Sequence, residues 1–568
     1  MASGNHQNSV QDDFARVLNM RGDVLWRRSD VVGAEKYFRS AIKASDSYAL
    51  AHSNLGALLM GLHRYDEGFA SIQKAAVLNP NHAGILVNLG NALMLSGRTP
   101  QAVSTYQEAV RLDPADSNAA ASLLRPLMDI CDWGGLDKHF ANIQDRIACG
   151  KESDSSQLIT PYNSLFLPLT RYEQRAIAEN AAQKIARALP TPRYKPHVLR
   201  SNRSGRIRVG YLSSDYHDHA TAHLTLGIYS QHDRSSLEVY AYSIGHPDSS
   251  LYRQKIASEC DQFIDVHDQS TQQIAERIAN DAIDILVDLK GYTGGARTDI
   301  LALRPAPVQV NYLGYPGTMG AEFIDYLIAD PIIIPESHAD AYSEEIIRLP
   351  DTYQPTDDKQ AISQAPIERS SLGLPEGVVV YCNFNAPAKI ERRTFGCWMK
   401  VLAAVPNSVL WLMRTSPDAT KNLRMAAEAA GIDASRLIYA EPMQKQQHLA
   451  RLQFADVILD SFIYNAHTTT TDALWAGVPV VTLTGETFAS RVATSLVSAV
   501  GLSELATQSP TDYVSLAVEL GSNQQRLGSI KSRLRNRIEE PLFSTARYVK
   551  NLDDAYKEMF ERRLRALL

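Results

Sequence analysis

The hydrophobic positions in the N-terminal part of the chain follow a helical pattern that repeats. Gly22, Gly56 and Gly90 lie 34 residues apart, which is the period of tetratricopeptide repeats, each a pair of antiparallel helices. Two further sets keep the same interval: Phe38, Ile72 and Tyr106, and Ala41, Ala75 and Ala109. Small residues let the two helices of a unit approach closely. The pattern therefore predicts an α-solenoid of such repeats over residues 11–116.

From Ile207 onward the pattern changes to short runs of β-branched and aromatic residues separated by helical stretches, which is typical of doubly wound parallel sheets. One series opens with IRVGYLSSD and a second with VVVYCNFN, on either side of a proline-marked connection at residues 349–366. We therefore predict two Rossmann-like α/β domains, at 206–366 and 367–568, the second ending in helices. Residues 117–205 are expected to hold degenerate repeat helices and a linker rich in Pro and Arg.

Two asparagines occupy the same position of successive repeats, Asn54 in SNLGALL and Asn88 in VNLGNAL. The first helix of each repeat lines the concave face in this architecture, and a side-chain amide there can bond the backbone of an extended peptide. A solvated polar position would give the same pattern. The repeats thus predict a peptide-binding groove, with the plainer reading left open.

The composition is that of an ordinary soluble protein, with 568 residues, 45% hydrophobic and 21% charged. A net charge of -6 gives no global attraction to nucleic acid or to anionic membranes. No apolar run reaches the ~18 residues of a membrane span, and the N-terminus lacks a signal segment, so we expect a cytoplasmic protein. Five cysteines without C-x-x-C spacing argue against a disulfide framework or a thiolate zinc site: Cys131, Cys149, Cys260, Cys382 and Cys397.

Polar side chains follow three strands of the second predicted sheet. They are Lys389 after VVVYCNFN, then Lys445, His448 and Arg451 after RLIYAEP, then His467, Thr468, Thr469 and Asp472 after ADVILDSF. The carboxyl ends of parallel strands meet at one edge of a sheet, so we expect these groups to converge. His448 and Arg451, three residues apart, share one helical face. An imidazole for a base, cations for phosphates and a carboxylate for ribose hydroxyls fit a nucleoside diphosphate.

The threonine run in YNAHTTTTDALWAG precedes a predicted short helix, Asp472 to Gly477. Hydroxyls at this point either cap the helix or, with the free amides and the helix dipole, bind phosphate. Neither G-x-x-x-x-G-K-[ST] nor G-x-G-x-x-G is present, which excludes a P-loop enzyme and an evident dehydrogenase.

The first predicted sheet places SSDYHDHATAH after its opening strand, with His217, His219 and His223. His219 and His223 are four residues apart, but the glutamate of H-E-x-x-H is missing between them and no cysteine is near, so metal binding is the weaker interpretation. A neutral histidine at a strand end can instead position or deprotonate a hydroxyl. The turns LKGYTGGAR and LGYPGTMG are rich in glycine, which lets backbone approach a ligand closely.

These motifs together resemble the O-GlcNAc transferase family, in a bacterial form, which joins tetratricopeptide repeats to a two-lobed GT-B catalytic region. The matching strings are SSDYHDHATAHL, GYTGGAR, LRPAPVQ, LGYPGT, PNSVLWL, HTTTTDALWAG and GETFASRVA, in the family's order. The resemblance implies inverting, metal-independent transfer of N-acetylglucosamine from its UDP donor to a Ser or Thr hydroxyl of an intracellular protein, without a cofactor. The absence of D-x-D from the catalytic half agrees with this.

By position, the resemblance implies that Lys389 holds the leaving diphosphate and that His219 lies near the sugar and the acceptor hydroxyl. The rest of the implied nucleotide-sugar site is His448 at the uracil, Lys445 and Asp472 at the ribose, Arg451 in the same pocket, Thr468 and Thr469 at the phosphates, His467 at the sugar, and Gly314 and Pro316 lining the donor cleft. The repeat groove, with Asn54 and Asn88, would hold the protein acceptor.

Two positions depart from the animal members of that family. Ala386 replaces a glutamine that contacts the donor, and Tyr464 replaces a small cysteine beside the N-acyl group of the sugar. The long insertion between the lobes of animal enzymes is also missing. Two alternatives therefore stay open: a fucosyltransferase with a guanine nucleotide donor, as in the plant SPINDLY branch, and a repeat scaffold whose catalytic region is only a binding module.

Overall fold

The computed structural model describes residues 2–27, 30–62, 64–114, 117–148, 159–189 and 205–567. Most of the predicted Pro- and Arg-rich linker, and Cys149, lie outside the described residues. The chain forms two compact units, Met1–Ile159 with Ser416–Asn422, and Thr160–Thr415 with Leu423–Leu568.

The first unit is built from paired helices, as the repeat period predicts. Its helices are α1 (Ala2–Arg27), α2 (Val31–Ala44), α3 (Ala49–Gly61), α4 (Tyr65–Leu78), α5 (Ala83–Leu95), α6 (Thr99–Leu112), α7 (Ser117–Asp129) and α8 (Trp133–Ala148). The repeating glycine lies against the repeating large residue of the next helix. A Cβ at Gly56 would lie 2.4 Å from Ile72, and one at Gly90 would lie 2.4 Å from Tyr106. The 34-residue period thus reflects the close contact of the repeating glycine with the repeating large residue of the neighbouring helix.

The two predicted groove asparagines join successive first helices. The side-chain amide of Asn54 donates to Asn19 Oδ1 at 3.1 Å, and that of Asn88 donates to Ser53 Oγ at 2.9 Å. Both asparagines are half-buried. Each asparagine therefore has a hydrogen bond within the solenoid, in addition to any bond that it makes to a peptide.

The second unit contains two parallel sheets, which confirms the predicted α/β architecture. The first sheet has the order β3-β2-β1-β4-β5-β6-β7 and the second β10-β9-β8-β11-β12-β13. The strands are β1 (Ile207–Ser213), β2 (Leu237–Ser243), β3 (Gln262–Asp265), β4 (Ile285–Asp288), β5 (Val308–Asn311), β6 (Tyr326–Ala329), β7 (Glu345–Arg348), β8 (Val379–Asn383), β9 (Ser408–Met413), β10 (Leu437–Ala440), β11 (Val457–Leu459), β12 (Val480–Leu483) and β13 (Ala506–Thr507). All paired neighbours run parallel.

Helices cover both sheets of this unit. They are α9 (Pro161–Ser164), α10 (Arg171–Ala188), α11 (Ala220–Thr225), α12 (Leu251–Glu259), α13 (Thr271–Asn280), α14 (Thr298–Ala302), α15 (Arg392–Ala404), α16 (Pro417–Ala429), α17 (Lys445–Leu452), α18 (Thr468–Trp475), α19 (Val492–Ser498), α20 (Pro510–Ser522), α21 (Gln524–Arg535) and α22 (Thr545–Leu567). The central strands β4 and β5 are buried along their whole length, as expected for a parallel sheet with helices on both faces.

The structure divides the predicted segment 117–205 differently, because α9 and α10 belong to the α/β unit. Helix α10 lies directly on Gly320, where a Cβ would be 2.2 Å from the backbone nitrogen of Glu179. Gly320 also has a φ of +61°, which favours glycine. The Tyr315 hydroxyl donates to the carbonyl of Pro161 at 3.2 Å.

The C-terminal helix also differs from the predicted 367–568 domain, since α22 packs on the first sheet. Its Tyr556 hydroxyl lies 3.0 Å from that of Tyr211 on β1, and its Asp553 bonds His232. The apolar face of α22 is thereby buried. We call the first sheet with α9, α10 and α22 the first lobe, and the second sheet with its helices the second lobe.

Candidate functional site

A cavity of about 470 Å³ opens between the two lobes of the α/β unit. Six predicted site residues line it: His219, Gly314, Lys389, His467, Thr468 and Thr469. Within the described structure, the other predicted donor-site residues lie outside this cavity: Pro316, Lys445, His448, Arg451 and Asp472. The cavity is therefore one end of a longer predicted site.

Helix α18 begins at Thr468, four residues before the predicted start at Asp472. The threonines thus form the first turn of the helix, where burial of Thr470 and Thr471 outweighs their low helix propensity. His467 is the residue before the helix, and its side chain makes no capping bond. The first-turn amides have no partner within the helix and carry its positive dipole end, so this terminus is suited to an anion.

The loop that precedes α18 is fixed by a buried carboxylate. Asp460, at the end of β11, accepts hydrogen bonds from the amides of Ala466 at 2.6 Å and Ser461 at 2.8 Å. It also accepts one from the hydroxyl of Thr482 on β12 at 2.7 Å. The position of the helix terminus is therefore set by the core of the second lobe.

Lys389 brings a positive charge to this terminus. It follows β8, and its ammonium donates to the carbonyl of Asn465 at 2.9 Å and lies 3.9 Å from the ring centroid of Tyr464. Burial, together with the Lys389 charge, holds the pKa of His467 well below its usual range. His467 Nε2 donates to the carbonyl of Ala489 at 3.2 Å, because a carbonyl can only accept.

Aromatic rings wall one side of the cavity. Tyr464 lies 4.8 Å from the ring of Phe166 and 4.8 Å from that of His467, measured between centroids. Tyr162 and the exposed Ala386 line the same space. The two positions that depart from the animal pattern, Ala386 and Tyr464, therefore both face the cleft.

Gly314 meets a strict steric requirement where β5 leaves the sheet. A Cβ there would lie 1.9 Å from the carbonyl oxygen of Leu289. Pro316, two residues on, is buried and stays out of the cavity. Of the two predicted loop residues, Gly314 lines the cleft and Pro316 supports the loop.

The predicted nucleotide residues form two close pairs in the second lobe. Lys445 and Asp472 make an ion pair with side chains 14% and 8% exposed. Arg451, which is fully buried, donates from Nη2 to His448 Nδ1 at 2.8 Å and stacks on Phe384. The predicted role of Arg451 in the pocket therefore becomes indirect, since it fixes the His448 ring and keeps the proton on Nε2.

His219 is held by the first turn of α11. Its Nδ1 lies 3.2 Å from the amide nitrogen of Thr221 and 3.3 Å from Oδ2 of Asp215, so both groups hold the ring at this nitrogen. Burial lowers its pKa. His223 pairs instead with Asp218 at 2.6 Å. No group of three metal-ligating side chains occurs among the described residues.

Two cleft residues were missed by the sequence reasoning. Lys290 donates to both oxygens of Asp215 at 2.7 Å, and the side chains are 4% and 7% exposed. They follow β4 and β1, which are neighbouring strands, and both line the cavity. The sequence signal that could have predicted this ion pair is the presence of opposite charges after two strands that are neighbours in the sheet.

The sequence profile of glycosyl transferase family 41 matches residues 130–365 and 359–552 of this chain, and a tetratricopeptide repeat profile matches residues 59–125. A solved O-GlcNAc transferase mutant from Thermobaculum terrenum superimposes with a TM-score of 0.72 and 26% identity, over 99% of each chain.

Curated relatives from plants and animals are also similar. A probable UDP-N-acetylglucosamine–peptide N-acetylglucosaminyltransferase, SEC of Arabidopsis thaliana, is 37% identical over 77% of this chain and 46% of its own length. The UDP-N-acetylglucosamine–peptide N-acetylglucosaminyltransferase of Caenorhabditis elegans is 30% identical over 76% of this chain and 48% of its own. The chain thus spans about half the length of these relatives. Among the described helices, none is long and apolar enough to cross a membrane.

The state of His448 predicts a pH dependence of stability. Burial lowers its pKa to about 4 from an ordinary 6.5, so the unfolded chain binds this proton first as the pH falls. The stabilising contribution is complete above pH 6.5 and declines toward pH 4, by up to about 3 kcal/mol. Comparing the unfolding free energy of the wild type with that of His448→Gln across pH 4.5 to 8 measures it. A difference between the two that stays constant with pH would contradict the neutral, buried ring.

Proposed function

Because the chain belongs to glycosyl transferase family 41, we propose that it transfers N-acetylglucosamine from UDP-N-acetylglucosamine to Ser or Thr hydroxyls of intracellular proteins. The observation that carries the proposal is that Lys389 and the first turn of α18 line the same cleft between two lobes. A cation, free amides and two threonine hydroxyls together suit a diphosphate group.

In the proposed reaction the acceptor oxygen bonds to C1 of the sugar, and the bond from C1 to the phosphate oxygen breaks. UDP leaves with that electron pair, and the hydroxyl proton passes to solvent. Negative charge grows on the diphosphate as the bond breaks, so groups placed in advance to meet it lower the barrier. In this proposal Lys389, Thr468 and Thr469 stabilise the growing charge. The proposed reaction needs no metal and no cofactor.

We place the nucleoside end of the donor beside the two pairs of the second lobe. His448, whose ring is fixed by Arg451, presents its Nε2 proton to a carbonyl group of the base. Asp472 has acceptor oxygens for ribose hydroxyls, while Lys445 balances its charge. His219, whose ring is held at Nδ1, offers Nε2 to the sugar and the acceptor hydroxyl.

Lys389→Ala should abolish transfer while the protein stays folded. Losing one preorganised partner of a developing anion typically costs ~3 kcal/mol, which is a hundredfold or more in rate. Transfer from labelled UDP-N-acetylglucosamine, run with and without excess chelator, measures both this loss and the independence from metal. Lys400→Ala, at an exposed lysine of the neighbouring helix α15, is the matched control. Normal turnover by a folded Lys389→Ala variant would refute the assignment.

Thr468→Val combined with Thr469→Val should weaken UDP binding about tenfold and barely change stability, because within the described residues no side-chain bond caps the start of α18. Calorimetric titration with UDP and thermal unfolding are the two measurements. Ser509→Ala is the control, because Ser509 caps α20 by accepting from the amide of Asp512. That variant should lose ~1 kcal/mol of stability and keep its UDP affinity. The same pattern in the threonine variant would mean that the threonines only stabilise the helix.

Asn54→Ala combined with Asn88→Ala should slow transfer to long protein acceptors and spare hydrolysis of the donor, if these amides hold acceptor backbone. Asn19→Ala separates this role from the contact inside the solenoid, since it removes the partner of Asn54 but keeps the Asn54 amide. Equal losses in both variants would return the two asparagines to a structural role.

A further inference from the structure

Gln354 is a buried residue of the connection between the lobes, and it lines the cleft. Its side-chain nitrogen donates to the hydroxyl of Thr471 on α18 at 2.5 Å. Its Oε1 has no hydrogen-bond partner among the described residues. A buried acceptor without a partner costs free energy, so its retention beside a ligand cleft calls for an explanation.

The orientation of this amide follows from its neighbours. The Thr471 hydroxyl is directed at the carbonyl of His467, 3.5 Å away, and therefore accepts from Gln354 Nε2. The backbone is held as well, because the amide of Gln354 donates to the hydroxyl of Thr352 at 3.3 Å. Gln354 thus offers Oε1 as a fixed acceptor next to the anion-binding helix.

An acceptor selects the part of the donor that can reach it. Diphosphate oxygens are themselves acceptors and cannot bond Oε1. The predicted base and ribose residues, His448, Lys445 and Asp472, lie outside the cavity that Gln354 lines. The groups that share this cavity with it serve the diphosphate and the sugar. Of those two ligand parts only the sugar carries hydrogen-bond donors, which are its hydroxyls and the N–H of its N-acetyl group.

We propose that Gln354 is a specificity residue, whose Oε1 accepts a hydrogen bond from a hydroxyl or from the N-acetyl N–H of the donor sugar. The assignment rests on the proposed function. A site built around such a bond discriminates strongly against a sugar that lacks that donor group, because the acceptor is then left unpaired.

A buried glutamine oxygen without a partner is not sufficient by itself. Gln309 on β5 also has an unpartnered Oε1, while its nitrogen donates to the carbonyls of Leu301 and Phe323. Gln309 does not line the cleft. Gln354 differs from Gln309 because it also lines the cavity. It combines an acceptor without a partner among the described residues with a fixed side-chain amide at the ligand cleft.

The test compares the affinities of UDP and UDP-N-acetylglucosamine by calorimetry in the wild type, Gln354→Met and Gln354→Leu. We expect the UDP-sugar to bind about tenfold more weakly to either variant, and UDP to bind as it does to the wild type. Thr471→Val is the control for support of α18, since it removes the partner of the Gln354 nitrogen and keeps Oε1. Equal weakening of UDP and UDP-sugar in the Gln354 variants would overturn the proposal, as would unchanged affinities.

Donors that lack one sugar hydroxyl, and UDP-glucose, which lacks the N-acetyl group, identify the bonded group. The modified donor that binds the wild type weakly should show no further loss in Gln354→Met. If neither Gln354 variant folds, the wild type decides, because equal affinities for every modified donor and the parent would refute the contact. A wild type that binds no UDP-sugar would instead contradict the proposed function, so the two failures are distinguishable.

Discussion

The amides at the start of α18, which have no partner within the helix, are the constraint around which the second lobe is arranged. A helix terminus of this kind is useful to an anion only if it is held still, and the buried carboxylate of Asp460 holds the loop before it. Lys389 is then directed to the same place by its bond to the carbonyl of Asn465, which lies in that loop. Cation, hydroxyls and amides are thus held by contacts within the second lobe, and an electrostatic site is effective when its groups are fixed in this way.

The first lobe depends on chain segments far from its own sheet. Helix α22, at the C-terminus, covers the first sheet through buried tyrosines, among them Tyr548 against Tyr312 and Tyr556 against Tyr211. Helix α10 reaches the same lobe through Gly320. The chain therefore passes between the lobes more than once, and the wall of the cleft includes Gln354 from one of these crossings.

The parts of this structure that the sequence predicts are those controlled by local periodicity. The recurring glycine and its large partner, such as Gly56 with Ile72, give the solenoid, and the β-branched runs give both sheets. The start of α18 was misplaced, because four threonines favour a cap or a loop and only tertiary burial of Thr470 and Thr471 makes them helical. The packing of α22 could not be read from the sequence either, since an amphipathic helix does not specify which sheet it covers.

The directions in which side chains point are the second feature that the sequence does not predict. Their spacing places His448 and Arg451 on one helical face. It does not show that the guanidinium of Arg451 bonds the His448 ring and holds it in place. The pair of Asp215 and Lys290 was hidden in the same way, because its members are far apart in sequence. This pair matters for the charge of the cleft, since Asp215 neutralises Lys290.

The surroundings of the cleft histidines then restrict the chemistry. Burial lowers the pKa of His219 and of His467, and each ring has one nitrogen committed to its neighbours. For His219 that nitrogen is Nδ1, which lies beside the amide of Thr221 and the carboxylate of Asp215, so Nε2 is the nitrogen left for a ligand. Lys389 and the terminus of α18 act on the leaving diphosphate, where negative charge grows as the sugar bond breaks. The driving force of the proposed transfer therefore lies with departure of the diphosphate.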